Sequence, residues 1–481
     1  MKKKISVLFI IVFVAVSTAI SQNAAMAIGD VLTLRQAIDI ATKNNLQVEL
    51  NDISSQQAQV NRNQAQEYLL PSINASGSQG ISSGRSLNPY TYQYVNSQIS
   101  TGNYSISGNL VLFQGLQTQN YIKQTGLIYN ASKFDLEQQK QNITLTIILQ
   151  YLQVVSSQDL LDIQRAQADV DKKQLDRLDL QNRDGALLDL SALSDLQGAY
   201  ATDLSNIAIS INNLESAKIS LFQFMNVPYK RDAQYEKMSV DLQVADYSTN
   251  PDSIYQVALN TLPSIKSADL RIKAAQKGVA VARGVYYPTL SVGSSIYTNY
   301  SNAATASIPG SISNVTTQDF VTVGGSNYSV ISPEQSFTTK NISFGDQFNN
   351  NKYTQFYLQL SIPILNQLRA RNGVKLAKIG LENARYNAVS IKLGLQQSVE
   401  QAYQNLVSAN GQVKADKDAV VGYAESFRIK EIKFNEGVIT SDIYLQAKNR
   451  IDAANVSLAI ARYNYVFRSK ILDYYEGKLT Y

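Results

Sequence analysis

The chain has 481 residues, with 43 Lys and Arg against 38 Asp and Glu, and it contains no Cys, His or Trp. This removes Cys and His nucleophiles, a His general base and any Cys/His zinc site, which tilts the chain away from enzymes, cofactors and metals, and no disulfide staples it. The near-neutral balance carries no footprint for nucleic acid.

The N-terminus reads as a secretory signal. Lys2, Lys3 and Lys4 precede a largely apolar run from Ile5 to Val16, and small-residue cleavage sites follow at Ala19-Ile20-Ser21 or Ala25-Met26-Ala27. Residues 1–27 are assigned to this signal, with cleavage near 21 as one option. The run is too short for a membrane anchor, and no later stretch approaches the roughly 20 apolar residues of a spanning helix. A membrane role has to come through strands.

Thr33 is placed to cap a first helix in which Ala37, Ile40 and Ala41 share a face. A Gln- and Ala-rich helix over about 49–69 then stops at Pro71, after which apolar and polar residues alternate with the period of a strand. The same switch recurs 217 residues later at Pro288, and the pairs Ala41/Ala258, Val48/Ile265, Ala58/Ala275 and Ala65/Ala282 keep that offset. The chain therefore reads as an internal two-fold repeat: residues 28–226, a linker over 227–250 bracketed by Pro228 and Pro251, and residues 251–481.

Each repeat holds two expected strands, about 72–82 and 103–113 in the first and about 288–298 and 353–364 in the second. Tyr104, Ile106, Leu110 and Leu112 are read on one face of their strand, and Phe356, Leu358, Leu360 and Ile362 on one face of theirs. About ten residues is the length that crosses an outer membrane when tilted, although a soluble sandwich uses the same alternation. The second hairpin carries 35 extra residues within about 298–352, a stretch dense in Ser, Thr, Asn and Gly that reads as an exposed loop.

Long proline-free helices follow, over about 115–183 and 366–434, each spanning roughly 100 Å at 1.5 Å per residue. In the second, Ile391, Leu395, Val399, Ala402, Leu406, Ala409 and Val413 make a near-heptad seam. Each long helix ends at a glycine, Gly185 or Gly437, and a helix of about half its length returns. Asp189 and Ser441 or Asp442 are read as caps of the returning helices. These carry Tyr200, Leu204, Ile207, Ile211 and Leu214, and Ala447, Ile451, Ala454, Leu458, Ala461 and Tyr465, at heptad-like spacing. The fold expected is mixed α and β, mainly α, with long antiparallel coiled-coil helices and four transmembrane strands. Four strands cannot close a barrel and an open edge cannot face lipid, so three chains are expected to pool 12 strands. A helical barrel then continues this trimeric β-barrel.

The chain resembles the TolC family of outer-membrane efflux proteins (outer membrane factors). The resemblance rests on Leu32-Thr33-Leu34-Arg35-Gln36-Ala37, the Pro71 and Pro288 entries into strands, and Ser361-Ile362-Pro363-Ile364-Leu365-Asn366 leading to Arg371 and Val374. The Gly185 and Gly437 tips and the ending Ile471 to Gly477 complete it. It implies a homotrimeric channel-tunnel, with its barrel among outer-membrane lipid and its helices in the periplasm. Such a channel is the passive exit duct of a tripartite efflux or type I secretion system, docked to a periplasmic adaptor (membrane fusion protein) and an inner-membrane pump. By position, the adaptor would meet Gly185, Ala186, Leu187, Gly437, Val438 and Ile439. The family's acidic pair after the second tip falls here on Ile443 and Gln446, leaving Asp189 and Asp442 as nearby entrance residues. A non-transporting coiled-coil envelope adhesin would use the same signal and heptads, but it does not require strand pairs after prolines in both halves.

Overall fold

In the computed structural model, the described residues are 31–87, 92–96, 98–185, 190–236 and 250–479. The signal segment, linker residues 237–249 and, at the first tip, Ala186, Leu187 and Asp189 lie outside them. The elements in order are β1 (Val31–Leu32), α1 (Leu34–Asn44), α2 (Leu46–Glu67), β2 (Ser72–Ser82), β3 (Arg85–Leu87), β4 (Tyr94–Asn96), β5 (Ile99–Gln114), α3 (Gln117–Arg183) and α4 (Leu190–Met225). They continue with β6 (Gln234–Tyr235), α5 (Pro251–Thr261), α6 (Pro263–Gly284), β7 (Thr289–Ser301), β8 (Thr305–Val323), β9 (Ser326–Asn341), α7 (Phe344–Asn350), β10 (Tyr353–Ser361), α8 (Arg369–Asn435) and α9 (Ser441–Tyr475). The protein is mainly helical. Among the described residues no helix is long and apolar enough to cross a membrane.

The chain divides into two compact units. The first comprises 1–56, 131–268 and 388–481. Its helices start as the sequence dictates: Thr33 forms a capping box with Gln36, and Asn250 caps α5 with Pro251 in the first turn. One core gathers Ala37, Ile38, Ile147, Tyr151, Leu221 and Phe222. There the Tyr151 hydroxyl donates to the Leu32 carbonyl at 2.9 Å, and burial pushes its pKa up to about 12. A second core joins Ile254, Val399, Leu406, Leu458 and Ala461.

The seam read on α8 is buried from Leu395 through Val413, but Ile391 is exposed. The α9 seam is buried throughout, from Ala447 to Tyr465. The α4 reading holds in part: Leu214 is buried and Tyr200 and Ile207 are half-buried, but Leu204 and Ile211 are exposed, and the buried row continues through Leu196, Ala217 and Leu221.

The second unit, 57–130 and 269–387, is built on a four-stranded antiparallel sheet in the order β10-β7-β5-β2. α2 ends in a short turn at Tyr68–Leu70 before Pro71, and α6 ends in one before Pro288, so both prolines stand at helix-to-strand switches. Pro363 lies in the connection 362–368, beyond the end of β10. The return into helix is made by two successive left-handed residues, Gly115 and Leu116 before α3 and Gln367 and Leu368 before α8.

Two strand readings change. A bulge between Val111 and Phe113 pairs Phe113 with Leu290, so Phe113 and not Leu112 continues the apolar row. The stretch expected as a loop over 298–352 is ordered: β8 and β9 form a long hairpin and α7 packs beside the sheet. Ser and Thr tolerate a strand as readily as a loop, so composition alone misassigned it.

Candidate functional site

The second tip is a helix stop of defined geometry. Gly437 adopts φ 72°, its N–H reaches the Phe434 carbonyl at 3.1 Å, and the Val438 N–H reaches the Lys433 carbonyl at 2.8 Å. These are the two hydrogen bonds of a Schellman ending. Val438 is 65% exposed and Ile439 is half-buried, so the tip presents an apolar side chain to solvent. Gly185 adopts φ 70° at the end of α3.

The tip is fastened to neighbouring helices. The Arg177 guanidinium on α3 donates to the Asn435 carbonyl at 2.8 Å and to its side-chain oxygen, which also accepts from Gln174 at 3.0 Å. Ser441 on α9 donates to Asp195 on α4 at 2.7 Å. Tyr444 stacks on Phe434 with centroids 4.6 Å apart and packs with Leu178, Ala192 and Leu196.

Thr440, not Ser441 or Asp442, is the N-cap of α9; Ser441 is engaged with Asp195, and Asp442 accepts from the Thr440 hydroxyl. Asp442, Ile443 and Gln446 are exposed. The tip residues are thereby brought together on one hairpin, and their counterparts Ala186, Leu187 and Asp189 fall outside the described residues.

Sequence reasoning missed a buried charged cluster on α3, α4 and α9. Lys448 is 2% exposed, and its ammonium lies 2.6 Å from Asp452, 3.0 Å from Asp171 and 3.9 Å from Asp203. Burial pushes the Asp171 carboxyl up to about 7 against the pull of Lys448, and the neighbouring Asp203 adds to the rise. Burial works against the charged form of Lys448, but Asp452 and Asp171 outweigh it and hold its pKa above the ordinary value. The Lys448/Asp452 pair, four residues apart, was visible in the sequence; the partners from α3 and α4 were not. Among the described residues no group of carboxylates is arranged to hold a metal ion.

The sheet has two chemically distinct faces. On one, Ile73, Ile106, Ile296, Phe356, Leu358 and Leu360 are all exposed, Phe356 at 76%. Register aligns them into rows: Ala75, Ile106 and Ile296 in one, Leu110, Val292 and Leu358 in another. At one end of this face Tyr104 and Tyr300 pack against Phe344 and Phe348 of α7; at the other, Tyr286 and Tyr287 are exposed. The opposite face is polar, with Ser76 bonded to Ser105 at 2.8 Å and Tyr297 to Asn103 at 2.7 Å. β2 and β10 each have one neighbour in this sheet, which leaves two open edges.

Comparison with known proteins agrees with this arrangement. The family described as outer membrane efflux protein matches residues 254–473. The outer membrane protein TolC of Salmonella enteritidis is 24% identical over 344 residues, 71% of this chain and 62% of TolC. TolC of Escherichia coli (strain K12) is also 24% identical, over 68% of this chain and 59% of its own length. The chain thus spans about three fifths of the curated relatives it matches. The outer membrane protein VceC of Vibrio cholerae shares the fold with a TM-score of 0.72 at 12% identity, over 93% of this chain and 97% of VceC. The chain is thus similar to the TolC family of outer membrane efflux proteins, in sequence over residues 254–473 and in fold over 93% of its length, and is located in the outer membrane.

Proposed function

We propose that the protein is the passive exit duct of a tripartite efflux or type I secretion system. Three copies pool their four-stranded sheets into a 12-stranded barrel in the outer membrane, and the helices of the two sequence repeats continue it through the periplasm. The observation that carries this reading is the sheet itself: an exposed apolar face with aromatic residues at both ends, a polar opposite face, and two unpaired edges. Lipid covers such a face, but an open edge in lipid leaves backbone groups unsatisfied, so the edges have to pair between chains. An adhesin built on heptads has no use for that face.

In this reading the tips around Gly185, Ala186 and Leu187 and around Gly437, Val438 and Ile439 dock a periplasmic adaptor linked to an inner-membrane pump. Asp189, Asp442, Ile443 and Gln446 border the entrance. The tip is opened by releasing contacts such as Arg177 to Asn435. The purified full-length protein in a planar bilayer is expected to give discrete conductance steps, several-fold larger for Arg177→Ala, which leaves Asn435 held by Gln174 alone among these contacts. A bilayer that stays sealed with both proteins would overturn the duct.

A further inference from the structure

The orphaned atoms of the buried cluster point to a proton. Asp171 is 2% exposed, and its Oδ2 meets Lys448 while its Oδ1 has no donor. Asp203 Oδ2 is likewise buried without a hydrogen-bond donor, and both carboxyls sit on the same Lys448 ammonium, at 3.0 and 3.9 Å. Buried acceptor oxygens without a donor are each costly, and one proton held by two carboxyls on the same ammonium would supply a donor. The charges agree: one ammonium faces the carboxyls of Asp171, Asp203 and Asp452. Among the described residues, the Tyr444 hydroxyl on α9 and, acting on it, Glu431 on α8 also face the cluster and add no positive charge. Arg462 lines a neighbouring cavity with Lys448 and Asp452, but it lies ten residues beyond Asp452 on α9, about 15 Å of helix. The pair lines a polar cavity of about 590 Å³ between α3, α4 and α9, which gives water and protons access.

We propose that Asp171 and Asp203 share one proton between α3 and α4, and that losing it sets two carboxylates against each other and loosens these helices. Asp171 lies 14 residues before Gly185 on α3, about 20 Å of helix, so the latch sits on the elements that lead to the tip. As a gate control this rests on the duct reading; as a shared proton it does not.

The sign follows from proton counting. Between about pH 4, where a free Asp ionises, and about 7, the folded protein holds a proton that the unfolded chain has released. Stability is therefore greatest at the acid end, falls as pH rises through that window, and levels off above it. Asp452, also raised by burial, acts in the same direction, and Lys448 acts only in the alkaline range.

The test is infrared difference spectroscopy of the full-length protein in detergent, titrated from about pH 5.5 to about pH 8.5, above the range of ordinary carboxyls. The wild type is expected to lose a protonated-carboxyl band near neutral pH. Asp171→Asn should abolish that band, and Asp203→Asn should move its midpoint to lower pH. No titrating band in the wild type, a band kept in Asp171→Asn, or an unmoved midpoint in Asp203→Asn overturns the shared proton. In bilayers the conductance should rise with pH in the wild type and stay constant in Asp171→Asn; a pH-dependent Asp171→Asn channel removes the gating role. Silent bilayers would count against the duct, while the band still decides the proton.

Discussion

Gly115 and Gly437 show how one backbone conformation carries different costs. Both occupy the left-handed region, at φ 56° and 72°. An added Cβ at Gly437 meets nothing within 4 Å, whereas at Gly115 it lies 2.5 Å from the Gly284 carbonyl oxygen and 2.6 Å from Tyr287 Cβ. Gly437→Ala should therefore cost only the conformational term, about 1 kcal/mol. Gly115→Ala adds overpacking against backbone, for a total of about 3 kcal/mol. Thermal unfolding in one detergent checks this order; equal losses would show that the close approach of Gly115 to Gly284 and Tyr287 adds nothing to its conformational cost. At this scale the sequence disclosed what is local. Thr33 and Gly437 announced a helix start and stop through their own chemistry. The Lys448 cluster did not, because Asp171 and Asp203 come from helices that only folding brings to it.

Among elements, the seam of α8 was legible because each buried residue meets partners supplied by its own chain. In α4, Leu204 and Ile211 keep the apolar spacing yet are exposed in the single chain. That is the expected state of a helix face reserved for a neighbouring copy. The four strands were read within a few residues of their observed bounds, since a period of two runs along each, broken in β5 by the bulge at Val111–Phe113. The β8–β9 hairpin was missed because its apolar residues, among them Ile308, Ile312 and Phe320, are irregularly spaced across two register shifts. If lipid covers the apolar face, Leu358→Arg in β10 should destabilise the barrel by about 2–4 kcal/mol, because a charge at bilayer depth loses its hydration. Gln359→Arg, on the polar face, should change stability by well under 1 kcal/mol. Unfolding in lipid vesicles compares the two, and equal effects would contradict the assignment of faces.

For the whole molecule, the tip and the sheet edges share one property: each is incomplete in a single chain. β2 and β10 lack a second neighbour in their sheet, and the exposed Val438 tip lacks a cover. In the proposed duct, trimerisation would supply the first and adaptor docking the second. The proposed number three rests on strand arithmetic, since four strands are too few and 12 lie within the range of closed barrels. The cargo is not legible in the sequence, because in the proposed duct selection would rest with the pump. The central claim is tested most directly by the molar mass of the protein extracted from outer membranes in mild detergent and corrected for bound detergent. The 53.1 kDa chain without its signal weighs about 50 kDa, so a closed 12-stranded barrel requires about 150 kDa. A stable monomer of about 50 kDa, or release without detergent, would contradict it.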